Sequence, residues 1–105
     1  MDKGAATALK EYNEQKSNAS IQQISEGTMN TIGYRLFRAE KVDDAILIFT
    51  QNTVDYPGSG NTWDSLAEAY AAKGDKQSAI KYYEKSVQLD PSNTNAVEQI
   101  KKLKQ

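Results

Sequence analysis

Three short stretches carry residue types that do chemistry. Ser78-Ala-Ile-Lys81 has the Ser-x-x-Lys spacing at which a lysine can activate a serine nucleophile. Here it falls inside a helical run, no Lys-Thr-Gly follows, and a chain of 105 residues has no room for the cleft such a nucleophile needs. Gly58-Ser-Gly60 offers backbone amides to a phosphate, but the lysine and hydroxyl of a phosphate-binding loop are missing and no strand is predicted before it. Asp43-Asp44 and the scattered glutamates lack the spacing and the obligatory glycine of a calcium loop, and are expected to form a solvated face. With no histidine and no cysteine, the commonest general base, metal ligand and thiol nucleophile are all missing. No catalytic residue, metal site or cofactor is therefore expected.

Composition narrows the partners. Lysine plus arginine number 13 and aspartate plus glutamate 14, so a net charge of −1 creates no field that would gather phosphate backbones or anionic lipids. Nucleic acid and membrane are thus excluded as expected partners. The start, Met1-Asp-Lys-Gly-Ala-Ala, lacks the apolar core of a leader and no run approaches transmembrane length, so a soluble chain is expected. Absence of cysteine excludes disulfides.

The elements that position any working surface are clearest between Trp63 and Pro91. Apolar or small residues recur at Trp63, Leu66, Ala67 and Tyr70, then at Ala79, Tyr83 and Val87, the spacing of one helical face. Gly74-Asp75 separates the two runs: glycine can take the left-handed conformation that ends one helix, and aspartate can accept from the amides that open the next. Asp90-Pro91 closes the unit. Thirty-four residues earlier the skeleton recurs as Met29, Ile32, Gly33, Leu36, Ala45, Phe49 and Pro57. Thirty-four residues later Val97 and Ile100 begin a third copy, predicting a helix over about 95–104 with Val97, Ile100 and Leu103 inward and Lys101, Lys102 and Lys104 outward. Upstream, residues near 4–17 place Ala5, Ala8, Leu9 and Tyr12 on one side of a helix that would cover the first unit. Asn18-Ala-Ser20 matches a glycosylation acceptor but reads as a linker. Ser20-Ile-Gln-Gln23 fits a capping box that turns Ile21 and Ile24 inward. Tyr12, Phe49, Trp63, Tyr70 and Tyr83 fall on apolar stripes and are expected to pack in the core.

A period of this length belongs to stacked helical solenoids, in which each unit buries its apolar face against its neighbours. Trp63, Leu66, Ala67, Tyr70, Gly74, Ala79, Tyr83 and Pro91 resemble the consensus of the tetratricopeptide repeat. The resemblance implies an all-α fold, a right-handed superhelical stack of antiparallel helix pairs. It divides the chain into an N-terminal helix and linker (1–25), two repeats (26–59 and 60–93) and a C-terminal capping helix (94–105), together one domain. The first repeat departs further from the consensus: Glu40 replaces the turn glycine, and Asn52 and Asp55 stand where alanine and leucine are usual.

What the resemblance implies for function is a non-catalytic module that binds a peptide or protein in the concave groove of its first helices. Carried over by position, that groove comprises Asn30, Thr31, Tyr34, Phe37, Arg38, Asn61, Asp64, Ser65, Glu68, Asn95, Glu98 and Gln99. Tyr34 and Phe37 lie off the Met29, Ile32, Leu36 stripe and are candidate apolar anchors. Family members that grip acidic chaperone tails use a clamp of Lys, Asn, Asn, Lys and Arg. The matching places here hold Asn30, Tyr34, Ser65, Asn95 and Gln99, so the cations are absent and chaperone-tail binding is not expected. A narrower resemblance, over about 28–104, is to the repeat tail that follows bacterial serine hydrolases of the beta-lactamase and esterase type. It rests on Gly33-Tyr-Arg-Leu, Tyr56-Pro57, Asn61-x-x-Asp64-Ser-Leu-x-Glu68-Ala-Tyr70 and Asp90-Pro-Ser-Asn-x-Asn-Ala96. It implies the alternative of an accessory or dimerisation domain whose contact is its own catalytic domain or a second copy.

Overall fold

The computed structural model describes residues 4–16 and 24–105. These residues form six helices and no strand: α1 (Gly4–Lys16), α2 (Glu26–Arg38), α3 (Val42–Asp55), α4 (Gly60–Lys73), α5 (Lys76–Leu89) and α6 (Thr94–Leu103). Each packs mainly on the next, with α1 laid against α3. The result is an all-α helical-repeat solenoid. The Asn18-Ala-Ser20 triplet and the Ser20–Gln23 capping box, with Ile21, lie outside the described residues.

Local chemistry sets the helix ends. Ser25 opens α2 by accepting from the Thr28 amide at 3.2 Å, Asp75 opens α5 by accepting from Ser78 N–H at 3.1 Å, and Asn93 opens α6 by accepting from Ala96 N–H at 3.1 Å. Each such cap is worth about 1 kcal/mol. The Asp75 contacts hold its carboxyl below the usual range, the Ser78 side chain contributing most. Ser78 Oγ itself donates to Asp75 at 2.8 Å, so the serine of the Ser-x-x-Lys match works as a capping partner. No side chain caps α3, but Asp43 and Asp44 in its first turn complement the positive end of the helix dipole.

The two repeats turn the same corner with different residues. Gly74 ends α4 at φ 92°, with Gly74 N–H donating to Ala71 O and Asp75 N–H to Tyr70 O. Thirty-four residues earlier Glu40 takes φ 63°, with Glu40 N–H donating to Phe37 O and Lys41 N–H to Leu36 O. A side chain in this left-handed region is strained by about 1–2 kcal/mol.

Between the helices of the first repeat, Gly33 lies directly under Phe49. A Cβ built on Gly33 would come within 2.3 Å of the Phe49 ring, and that ring is fully buried and has nowhere to go. Phe49, Ala45, Ile46, Leu66 and Ala69 make the central cluster. Burying side chains such as Phe49 and Leu66 stabilises by about 1.5–3 kcal/mol each. A second cluster joins Ala67, Ala79, Tyr83 and Ala96 at the α4, α5, α6 junction. A third joins Ala5, Met29 and Ile48, with Leu9, Ile24, Ile32 and Leu36 against them, so α1 covers the outer face of the first repeat. Ala8, expected on the covered side of α1, is exposed.

One polar side chain ties each hairpin shut, at matching places. Asn52 Nδ2 donates to Glu26 O at 3.1 Å, and Ser86 Oγ donates to Gly60 O at 2.8 Å. Both are buried, and each carbonyl belongs to the first residue of its repeat's first helix. Asp55 and Gln51 do different work: Tyr12 Oη donates to Asp55 at 3.2 Å and Asn13 Nδ2 to Gln51 Oε1 at 3.0 Å, fastening α1 to α3. Tyr12, expected in the core, sits half-buried in this polar seam.

Gly33→Leu is expected to destabilise by about 1–3 kcal/mol through overpacking, and Gly33→Ala should act in the same direction, against its helix propensity. Gly27→Ala, in the same helix with open space around it, should stabilise by less than about 1 kcal/mol. Urea denaturation of the three variants separates the packing effect from propensity. Glu40→Gly should stabilise by up to about 1 kcal/mol, because relief of the left-handed strain exceeds the entropy lost; a lowered melting temperature would contradict it.

Candidate functional site

The first helices α2 and α4 meet side by side, and two hydrogen bonds cross between them. Tyr34 Oη donates to Glu68 Oε1 at 2.7 Å, and Ser65 Oγ donates to Asn30 Oδ1 at 2.7 Å. Both pairs are separated by about one repeat length, so equivalent faces of successive units are laid together. Tyr34 is not the free anchor expected of it. Its ring packs edge-on against Phe49 at 5.1 Å and against Phe37 at 6.1 Å, with the Arg38 guanidinium 5.9 Å from its centre. Phe37 is likewise half-buried against the central cluster. An aromatic pair off the apolar stripe thus packs against the core.

Electrostatics along this surface are acidic. Asp64 lies half-buried one helical turn before Glu68, and its carboxyl is pushed up by burial and then by the Glu68 charge, with a hydrogen bond from Asn93 working the other way. Its Oδ1 is buried without a hydrogen-bond partner. The Tyr34 phenol is pushed up to about 12, mostly by burial, with donation to Glu68 adding to the shift. Burial also raises Tyr83, and nearby Asp64 and Glu68 reinforce it.

The remaining expected groove residues divide. Ser65 is buried and committed to Asn30. Thr31 is exposed and its hydroxyl donates back to Gly27 O at 3.0 Å. Arg38, Asn61, Asn95 and Glu98 are exposed and Gln99 is half-buried. Asn30, Tyr34, Ser65 and Glu68 are joined across helices; Asn95, Glu98 and Gln99 stand on α6. Among the described residues no cluster of acidic side chains has the makings of a metal site, and no helix is long and apolar enough to cross a membrane.

Residues 60–93 match the family model of the tetratricopeptide repeat. The chain is also similar in structure to the Sgt2 TPR domain from Aspergillus fumigatus, with a TM-score of 0.72 and 19% sequence identity. The match covers 81% of this chain and 56% of that one, so the likeness spans little more than half of that domain. No curated protein matches the chain. The repeat match thus accounts for 60–93, and the structural likeness shows a shared all-α helical-repeat fold.

Away from the first-helix groove lies a feature that periodicity did not reveal. A hollow of about 1100 Å³ is lined by residues of α3, α4, α5 and α6, including Trp63, Tyr82, Val97 and Ile100. Trp63, expected in the core, is half-buried at its edge, stacked on Tyr82 at 5.8 Å, with its indole N–H donating to Pro57 O at 3.0 Å. On α6 the fully buried residue is Ala96, while Val97, Ile100 and Leu103 are only half-buried.

The raised phenols make stability depend on alkaline pH. Tyr34 is neutral in the fold and ionises more readily when unfolded, near its ordinary value of 10.0. Its contribution is therefore present below pH 10 and is lost as pH rises toward about 12. Tyrosinate absorbance and circular dichroism should change together in this window, and Tyr34→Phe should shift the unfolding midpoint to higher pH.

Proposed function

We propose that the chain is a non-catalytic protein–protein interaction module, and that it takes a peptide or partner segment along the groove of α2, α4 and α6. The contact residues are those carried over from the repeat: Asn30, Thr31, Tyr34, Phe37, Arg38, Asn61, Asp64, Ser65, Glu68, Asn95, Glu98 and Gln99. One observation carries the chemistry of the partner. Asp64 Oδ1 is buried without a hydrogen-bond partner, and burial and Glu68 raise the carboxyl, so the hydrogen bond from Asn93 compensates its charged form only in part. A lysine, arginine or terminal amine placed between Asp64 and Glu68 would supply the rest, whereas an acidic tail would be repelled. The bound segment is accordingly basic or neutral and polar at this point, with apolar side chains against the edges of Tyr34 and Phe37.

The cross-helix hydrogen bonds support this reading, because they hold the groove wall in place before a partner arrives and reduce the ordering cost of binding. The alternative, an accessory or dimerisation domain of a larger serine hydrolase, stands on the residue wording of 28–104.

Panning a random peptide display library on the immobilised chain tests the proposal. Recovered sequences should be enriched in lysine or arginine and should shift the amide resonances of Tyr34, Asp64 and Glu68. Asp64→Asn should weaken them about tenfold, the cost of one partly buried charge pair. Affinity should fall as pH drops through the raised Asp64 pKa, since protonation removes the carboxylate that the cation meets. Recovery of acidic sequences, or resonance shifts confined to α3 and α5, would refute it.

A further inference from the structure

The two hairpins are joined through α3 and α4, while their second helices part. α3 packs on α4 and α1 lies directly against α3, but α3 and α5 make no comparable contact. A groove is left between them, along one side of the 1100 Å³ hollow. Thr50 and Thr53 of α3 and Lys81 and Lys85 of α5 are its walls, and Trp63 and Tyr82, packed against the central cluster, are its floor. The matching places of the first repeat are closed. One period before Trp63, Tyr82 and Lys85 stand Met29, Ile48 and Gln51, all buried under α1: Met29 and Ile48 pack with Ala5, and Gln51 accepts from Asn13. Trp63, Tyr82 and Lys85 are only half-buried.

Charge says what the groove would take. The Lys81 ammonium stands 5.5 Å from the Tyr82 ring centre and that of Lys85 5.9 Å from the Trp63 ring centre. Neither lysine is ion-paired with a carboxylate among the described residues. Glu84 is two residues from Tyr82 and so points to the other side of α5. Where Gln51 receives an amide, Lys85 thus asks for a carboxylate. The facing helix offers apolar surface instead: Leu47 and Val54, 37% and 66% exposed, flank Thr50 at helical spacing. Residues one turn apart on a helix have Cβ atoms about 5–6 Å apart, and alternate residues of an extended chain are about 6.5 Å apart. An extended segment can therefore turn two carboxylates to Lys81 and Lys85 and the side chain between them to the other wall.

We propose that the groove between α3 and α5 is a second docking site, which takes an extended acidic segment of a partner protein. Carboxylates at alternate positions meet Lys81 and Lys85, and the intervening apolar side chains lie on Leu47, Thr50 and Val54. Aliphatic side chains on one wall and a net charge of −1 favour a peptide over a nucleic-acid strand. The site shares no residue with the first-helix groove and does not rest on the function proposed for it.

The probe is a fluorescein-labelled synthetic peptide, Gly-Ser-Glu-Leu-Glu-Phe-Glu-Ser-Gly. Anisotropy titration of the full chain should give saturable micromolar binding that weakens with salt. The unlabelled peptide should change the emission of Trp63, the lone tryptophan, with the same midpoint. A peptide with lysines in place of the glutamates should not bind, and one with its glutamates made adjacent should bind less tightly. Lys81→Gln with Lys85→Gln should leave circular dichroism unchanged and lower affinity about tenfold or more. Should that double variant fail to fold, Lys81→Glu alone, at an exposed place, should still weaken binding. Lys101→Glu, on α6, should not. Absence of saturable binding would overturn the proposal, as would equal binding of the three peptides, indifference to the changes at Lys81 and Lys85, or an equal effect of Lys101→Glu. Binding of a labelled oligonucleotide that needs both lysines, without peptide binding, would equally overturn it. If sedimentation shows self-association that Leu47→Asp abolishes, with no peptide binding, a second copy occupies the groove and the proposal fails.

Discussion

The Phe49 ring rests on the bare backbone of Gly33, and both the core and the groove are built outward from that contact. Because the helix offers no Cβ there, α2 and α3 approach closely and Phe49 is fully buried. Its ring then supports the edge of Tyr34, whose hydroxyl reaches Glu68 on α4. One missing side chain thus sets the depth of the core, the attitude of an aromatic ring and the spacing of two first helices. The cost of glycine in a helix, about 1 kcal/mol, is offset by the burial that it permits.

The first repeat looks irregular because it meets a neighbour that the second does not. Asn52 serves as Ser86 serves, closing its hairpin onto the first carbonyl of the repeat. Asp55 and Gln51 face α1, where they receive Tyr12 and Asn13. Ser86 has a second task, accepting from Asn93 Nδ2 at 2.9 Å, and so links α5 to the cap of α6. Departures from the consensus here record different neighbours. The exposed Lys73–Asp43 pair, at 2.8 Å, also spans the two repeats, but in water it contributes little.

Much of the fold was legible because its signals are local. Asp75 and Gly74 act on amides and carbonyls within a few residues. The 34-residue period told which residues recur on one helical face and predicted the helix at 95–104. The proposed groove is a set of positions carried over from the repeat, and their contacts were not legible in the sequence. Tyr34 was read as projecting because it left the apolar stripe, yet the ring is wide enough to cover Phe49 from the side. Partners such as Tyr12 with Asp55, 43 residues apart, leave no trace in spacing. Trp63 illustrates the same limit: an indole longer than the leucine one turn on reaches past the core into the hollow.

Trp63 is the chain's lone tryptophan, stacked on Tyr82 and tethered to Pro57 O between the hairpins. Its emission therefore reports the second hairpin and its junction with the first, while α1 and α6 carry no tryptophan. In a solenoid held by nearest-neighbour contacts, the ends can loosen while the middle persists. A single indole placed there makes the molecule its own gauge of whether it melts as one body or peels from its tips.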